Sequence, residues 1–187
     1  MSRYKIQRIK RGKHSVRFID RYFLPVKNKD FTLKGFLYGP GLRYDYGTSD
    51  NQDWNKFAGI QLDKYNPHGR TIMTVFRYNS SLDAYEWTFY YHNIEEGNGN
   101  YKKVGRVPGL VDESNTVYTP VGSVPDLNVT FISNTRIALS LIYNGDVIND
   151  VVTFKKFGRR HTKGNLYWGG NMAAVEDIEA RKKYSYD

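Results

Sequence analysis

From Tyr85 to His92 the side chains alternate without a break. Tyr85, Trp87, Phe89 and Tyr91 fall on one parity, and Glu86, Thr88, Tyr90 and His92 on the other. Period two marks a strand with one face in a core, and it recurs along most of the chain. Leu127, Val129 and Phe131 repeat it, as do Ile137, Leu139, Leu141 and Tyr143 after the polar break at 133–135. Asn144-Gly145 then gives the strongest short-range hairpin signal, because a type I′ turn needs positive φ at both central residues. The return strand is expected over Val147–Phe157. Further strands are expected over Val16–Leu24, Phe31–Tyr38, Asn55–Leu62 and Thr71–Tyr78, the last closed by the turn at 79–83. Short strands parted by turns predict an all-β, antiparallel sandwich or barrel. Trp87, Phe89, Val129, Leu139 and Leu141 are its expected core.

One segment argues the other way. Residues 171–183 offer an Asn cap, good helix formers, acids early and bases late, which taken locally read as a helix.

The chain has 187 residues, enough for one domain with a substantial core. Its 16 Tyr suit half-buried β surfaces, where the ring packs and the hydroxyl reaches water. With no Cys, disulfides, thiolate chemistry and Cys-based zinc sites are excluded. No stretch approaches the roughly 20 apolar residues of a membrane span, so no membrane partner is expected. The N-terminus lacks the apolar run of a Sec leader, which implies synthesis in a cytoplasm without that export route.

The net charge of +9 is concentrated at one end. Residues 1–21 hold eight Lys/Arg against Asp20, a balance of +7, and residues 22–187 carry +2. The organisation expected is a basic arm (1–21) followed by a β-sandwich (22–187). Residues 1–13 have little apolar area and six like charges, so the arm should stand away from the sandwich and dock on an acidic neighbour. Arg3, Lys5, Arg8, Lys10, Arg11 and Lys13 are the docking candidates. Phosphate contact is the other use of such an arm. No folded basic face with interleaved aromatics accompanies it, so nucleic acid is not expected.

The blocks "YDYGTSDNQDWNKFAGI", "FRYN", "YEWTFYYHN" and "LYWGGN..A..DI", spanning 44–178, together resemble a family of concanavalin-like β-sandwiches. That family occurs in Bacteroidetes bacteria and their phages, crAss-like phages among them. Phe76 stands where the family usually has Trp, and Val175 where it has Pro. The resemblance implies a lectin-like jelly roll and continues Asp177–Tyr184 as an edge strand, against the local helix signal. Most members have no assigned activity.

In concanavalin-like polysaccharide lyases a Tyr and a His on the concave sheet exchange protons beside a neutralised uronate. By that resemblance Tyr90, His92 and Arg77 are the lyase candidates, and Tyr90, His92 and Glu86 the glycan-binding ones. The R-x-E-L-R and Q-[IV]-H blocks of alginate-lyase-like families are missing. Glycosidases of the fold use a strand of three acids, of which Glu176-Asp177-Ile178-Glu179 has only part. Asp50, Asn51, Asp53 and Asn55 offer oxygens suited to calcium, but EF-hand spacing is absent. The plainer reading has Asp and Asn capping loop backbone while Trp54 pins the loop. His14, His68 and His161 are scattered, so no metal site and no cofactor are expected. GxSxG, Walker A and HExxH are absent.

The function expected is a non-enzymatic bacteriophage virion structural or decoration protein, located in the virion, with a lectin-like and glycan-binding sandwich. Its partners would be capsid, portal or tail subunits. The alternative is a polysaccharide-degrading lyase or glycoside hydrolase of the same fold.

Overall fold

The computed structural model describes residues 4–22, 24–47, 53–63, 69–95, 110–111, 113, 115–169 and 172–187. Among them are thirteen strands: β1 (Lys5–Ile9), β2 (Val26–Lys27), β3 (Phe31–Tyr38), β4 (Asn55–Gln61), β5 (Thr71–Asn79), β6 (Ala84–His92), β7 (Leu110–Val111), β8 (Val117–Pro120), β9 (Asp126–Phe131), β10 (Arg136–Tyr143), β11 (Asp146–Thr153), β12 (Arg160–Lys163) and β13 (Ile178–Tyr186). The first sheet runs β1-β13-β3-β9-β10-β11, and the second β2-β12-β4-β5-β6-β7 with β8 also on β6. Neighbours are antiparallel, and the two sheets form a β-sandwich.

Alternation puts the predicted core in place: Trp87, Phe89, Val129, Leu139 and Leu141 are each at most 2% exposed. Trp87 sits edge-on to Phe57 at 5.5 Å and 4.9 Å from Phe76, ring contacts that add to the area buried. The Asn144-Gly145 turn has φ of +49° and +98°, as a type I′ hairpin needs. The return strand ends at Thr153, earlier than its composition predicts. Phe154 N–H then donates to the Thr135 carbonyl and the chain folds inward.

Tertiary pairing overrides the helix signal at the C-terminus. β13 pairs with β3 over eight residues, Glu179 to Tyr186, and Ile178, Ala180, Lys182 and Tyr184 face the core. Val16–Leu24, in contrast, is not a strand. Asp20 N–H donates to the Arg17 carbonyl at 2.9 Å and Arg21 N–H to that of Phe18 at 3.2 Å, closing a 3-10 turn over Phe18–Asp20 that Arg17 Nε–H braces by donating to Asp20 Oδ2 at 2.9 Å.

The basic segment does not stand off. β1 covers the edge of β13, where Ile9 is fully buried, and its cations find acids on the same domain. Arg8 bonds Glu179 at 3.0 Å, Lys10 bonds Asp177 at 2.5 Å, and Arg11 lies 3.7 Å from Glu176. An open strand edge is a template for pairing, and this segment satisfies it. Lys5 lies on β1 and Lys13 in the turn after it, while Arg3 is outside the described residues. The acids that neutralise the segment lie about 170 positions away in sequence, which local reading does not connect.

Candidate functional site

The residues of β5 and β6 that alternate with the core form the outer face of the seven-stranded sheet. Register pairs them in rungs: Thr71 with His92, Met73 with Tyr90, Val75 with Thr88 and Arg77 with Glu86. Most of this face is covered too, with Met73 3%, Glu86 6%, Thr88 0% and His92 2% exposed. Thr88 Oγ1–H donates to the Asn115 carbonyl at 2.7 Å, one of the bonds by which loops close over the sheet.

Described residues from three of the resembling blocks, Tyr44, Tyr46, Trp54, Asn55, Tyr78, Trp168 and Gly169, meet in one place and build a latch. Asn55 Nδ2–H donates to Tyr44 Oη at 2.9 Å, and Asn55 Oδ1 accepts from Gly169 N–H at 2.8 Å. Tyr78 N–H donates to the same Tyr44 oxygen at 2.9 Å, while Trp168 Nε1–H donates to Tyr46 Oη at 2.8 Å. Tyr44 lies edge-on to Trp168 with centroids 4.9 Å apart. A Cβ at Gly169 would run into the Trp54 carbonyl oxygen, so the backbone contact needs glycine. Trp54 donates to Glu113 at 2.9 Å and carries Arg77 over its ring at 4.5 Å. Asn55 is thereby spent in the fold. Asp50, Asn51 and His68 lie outside the described residues, and within the described ones no three His, Cys, Asp or Glu gather as a metal set.

Arg77 is held by its rung partner. Its Nε donates to Glu86 Oε2 at 2.5 Å, and Glu86 Oε1 accepts from Asn79 at 2.7 Å. The Arg77 rung is four residues along β5 from the Tyr90 rung, about 13 Å at roughly 3.3 Å per residue. The structure therefore brings Tyr90 and His92 together, with ring centroids 5.4 Å apart, and leaves Arg77 and Glu86 in a separate, mutually neutralised pair. Glu176 and Glu179 lie at the β13 edge in ion pairs with Arg11, Arg8 and Arg181.

A cleft of about 420 Å³ opens over the Tyr90 end of this face. Its floor is a row across three strands, Thr162, Gln61 and Thr71, set by the registers of β12, β4 and β5. The Thr71 and Thr162 hydroxyl oxygens are buried with no hydrogen-bond partner. Such groups usually mark water or ligand contact. Ser15, Arg21, Tyr22, Asn165 and Tyr167 complete the lining; Ser15 forms a β-bridge with Tyr167, Tyr22 N–H donates to Asn165 Oδ1 at 2.8 Å, and Tyr167 is 39% exposed. Lys56, whose backbone pairs with that of Tyr167, lines the cleft with its Nζ 4.3 Å from the Tyr90 centroid and 5.4 Å from that of Tyr167. Burial lowers the Lys56 pKa and pushes the Tyr90 phenol up to about 12. Sequence reading singled out Tyr90 and His92 through the resemblance to lyases and their shared strand face. It missed Lys56, Gln61, Thr71, Thr162 and Tyr167, which come together only through strand register.

No protein-family model matches the chain, and a search of curated proteins finds no match. Among solved structures the chain is similar to the 1.0 Å crystal structure of alginate lyase A1-II′, a member of polysaccharide lyase family-7, with a TM-score of 0.44 and 12% identity. The match covers 87% of this chain and 65% of the lyase chain. The likeness is one of β-sandwich architecture.

Proposed function

We propose that the protein is a non-catalytic carbohydrate-binding β-sandwich whose ligand lies in the cleft over the seven-stranded sheet. The observation that carries this reading is the pair of buried, unpartnered threonine hydroxyls, Thr71 and Thr162, in a floor flanked by tyrosine rings. A chain of hydroxyl-rich rings supplies both what the hydroxyls lack and flat apolar faces for Tyr167 and Tyr22. The wider setting proposed with it, a virion structural or decoration subunit docked on capsid, portal or tail proteins, rests on the sequence resemblance alone.

Three features favour binding over turnover. The Tyr90 phenol is shifted up to about 12, away from the range in which it would act as a base at neutral pH. His92 is only 2% exposed, and Arg77 is held by Glu86 outside the cleft. The test is titration of the protein with soluble oligosaccharides by calorimetry. Tyr167→Ala and Thr71→Val should each weaken binding at least fivefold while leaving the fold intact. Unchanged affinity in both variants would place the ligand elsewhere.

A lyase is the second reading, favoured by the shared face and ring contact of Tyr90 and His92. Its signature is unsaturated product absorbing in the ultraviolet from a uronate polysaccharide, lost in Tyr90→Phe. That result would replace binding with catalysis.

A further inference from the structure

We propose that the cleft selects an anionic carbohydrate, with the Lys56 ammonium as the receptor for its carboxylate or sulfate group. This rests on the carbohydrate-binding reading above and names the class of sugar.

The cleft is lined by two cations and no acid. Lys56 and Arg21 face it, and no Asp or Glu occurs among the described residues that line it. The described groups around it are neutral or cationic: Tyr90 and Tyr167 against Lys56 itself, His92 beside Tyr90 on β6, His14 stacked on Tyr167, and Tyr22 and Arg21 elsewhere in the lining. Arg21 makes only long contacts, 3.4 Å to the Val16 carbonyl and 3.3 Å to Ser15 Oγ. Elsewhere the molecule pairs its cations readily: Arg8, Lys10, Arg17, Lys34, Arg43, Arg70 and Arg77 all meet carboxylates. Lys56 has instead the faces of two tyrosine rings, which attract an ammonium but do not replace a counter-ion in a partly desolvated site. An anion entering the cleft would supply the missing charge.

The arrangement has a proton signature. Burial holds the Lys56 pKa below its usual value, so the amine begins to lose its proton at a lower pH than an ordinary lysine. An anion binds the charged form, so binding there takes up a proton, and affinity falls as pH rises through the lowered pKa. A neutral sugar has no such linkage.

The experiment compares three hexasaccharides: a uronate oligomer, a sulfated oligomer and cellohexaose. Calorimetry in two buffers of different ionisation heat reads proton uptake between pH 7 and 10. At least one acidic oligomer is expected to bind tenfold or more tighter than cellohexaose, with proton uptake growing as pH rises. Uronate and sulfate separate at low pH, because only the carboxylate loses its charge, and with it affinity, near pH 4. Lys56→Met should abolish the preference and the proton uptake, and Lys56→Arg should keep the preference without the uptake. Should Lys56→Met fail to fold, the wild-type uptake and Lys56→Arg still decide. Equal affinity for acidic and neutral oligomers overturns the proposal and leaves carbohydrate binding standing. Binding of no oligomer overturns both.

Discussion

Asn55 and Lys56 are consecutive residues on β4 that end in unlike surroundings. Asn55 enters the latch, where its amide nitrogen donates to Tyr44 and its oxygen accepts from Gly169. Lys56 turns the other way into the cleft, where it meets ring faces and no carboxylate. Tyrosine shows the same division. Tyr44 accepts two hydrogen bonds and is 3% exposed, whereas Tyr167 leaves 39% of its surface open beside the cleft. A polar residue whose bonds are all made inside the protein holds the fold together. One whose bonds are unmade is available to something else. Motif strength thus points to the latch, and ligand chemistry points to the cleft.

Adjacent positions allow the division to be broken directly. Trp168→Ala removes a 1% exposed ring from the latch and should cost about 3–5 kcal/mol, the range for truncating packed aromatics. Tyr167→Ala, one residue away, should cost under about 1 kcal/mol, as changes at partly exposed positions outside a packed core usually do. Urea unfolding of the two variants measures the difference. Equal losses would mean that the cleft wall is part of the core and the two regions are not distinct.

A second test concerns a polar group sealed between the sheets. His161 is 0% exposed, stacked on Phe31 and Phe131, with Nδ1 3.1 Å from Asn28 Oδ1. Burial, with Lys163 adding to it, pushes its pKa down to about 4 from 6.5. Between those values the unfolded chain holds a proton that the folded chain does not, so stability falls as pH drops from 6.5 to about 4. The loss should be on the order of 3 kcal/mol at roughly 1.4 kcal/mol per pKa unit. His161→Phe should flatten that acid slope relative to the wild type while preserving the stack. If both proteins lose stability in parallel, His161 is not the group responsible.

These contrasts also explain what could be read from the chain. Alternation located β6, β9 and β10 and their core residues, because period two is a local property. It gave the inward face of β6 correctly, but it implied a wetter outer face than Glu86, Thr88 and His92 have. Burial of that second face depends on loops from distant positions, such as the one carrying Asn115. The Tyr90–His92 pair was legible because both lie on one strand. The row Thr162, Gln61 and Thr71 was not, since three strands must align before it exists. Charge misled for the same reason, because Arg8 and Lys10 meet Glu179 and Asp177 only after the termini pair.

Within the latch the hydrogen bonds themselves can be weighed. Asn55→Ala leaves Gly169 N–H without its acceptor and removes one of the two donors to Tyr44 Oη. Stranding buried polar groups costs about 1–3 kcal/mol. A chemical-denaturation midpoint shifted by that amount, with ligand affinity unchanged, is the expected result. A loss of affinity without loss of stability would move Asn55 from the latch to the cleft.

The smallest effect compares two lysines whose pKa values are both lowered by burial, Lys56 and Lys182. Lys182 is 1% exposed between the sheets and meets no carboxylate among the described residues. Its Nζ donates to Gln7 Oε1 at 2.6 Å and to the Phe57 carbonyl, two acceptors for the two N–H bonds of a neutral amine. Gln7 in turn accepts from Leu166 N–H and donates to Asn165, so the amine supports the cleft wall from behind. With its pKa well below 10.5, Lys182 leaves the folded chain short of a proton that the unfolded chain binds. Through Lys182, stability should therefore rise with pH between the lowered folded-state pKa and the ordinary lysine value of 10.5. The slope reverses above about pH 10, where the unfolded chain ionises tyrosines that burial keeps protonated in the fold, Tyr184 among them. Lys182→Met should flatten that rise. At pH 7 it should change stability by only about 1 kcal/mol, because relief of the buried amine is offset by the unpaired Phe57 carbonyl. Ligand affinity should stay as it was. Lys56→Met, which removes a lowered pKa that also feeds the pH dependence of stability, should in addition alter binding. If the two variants behave alike, exposure to the cleft is not what separates the two lysines.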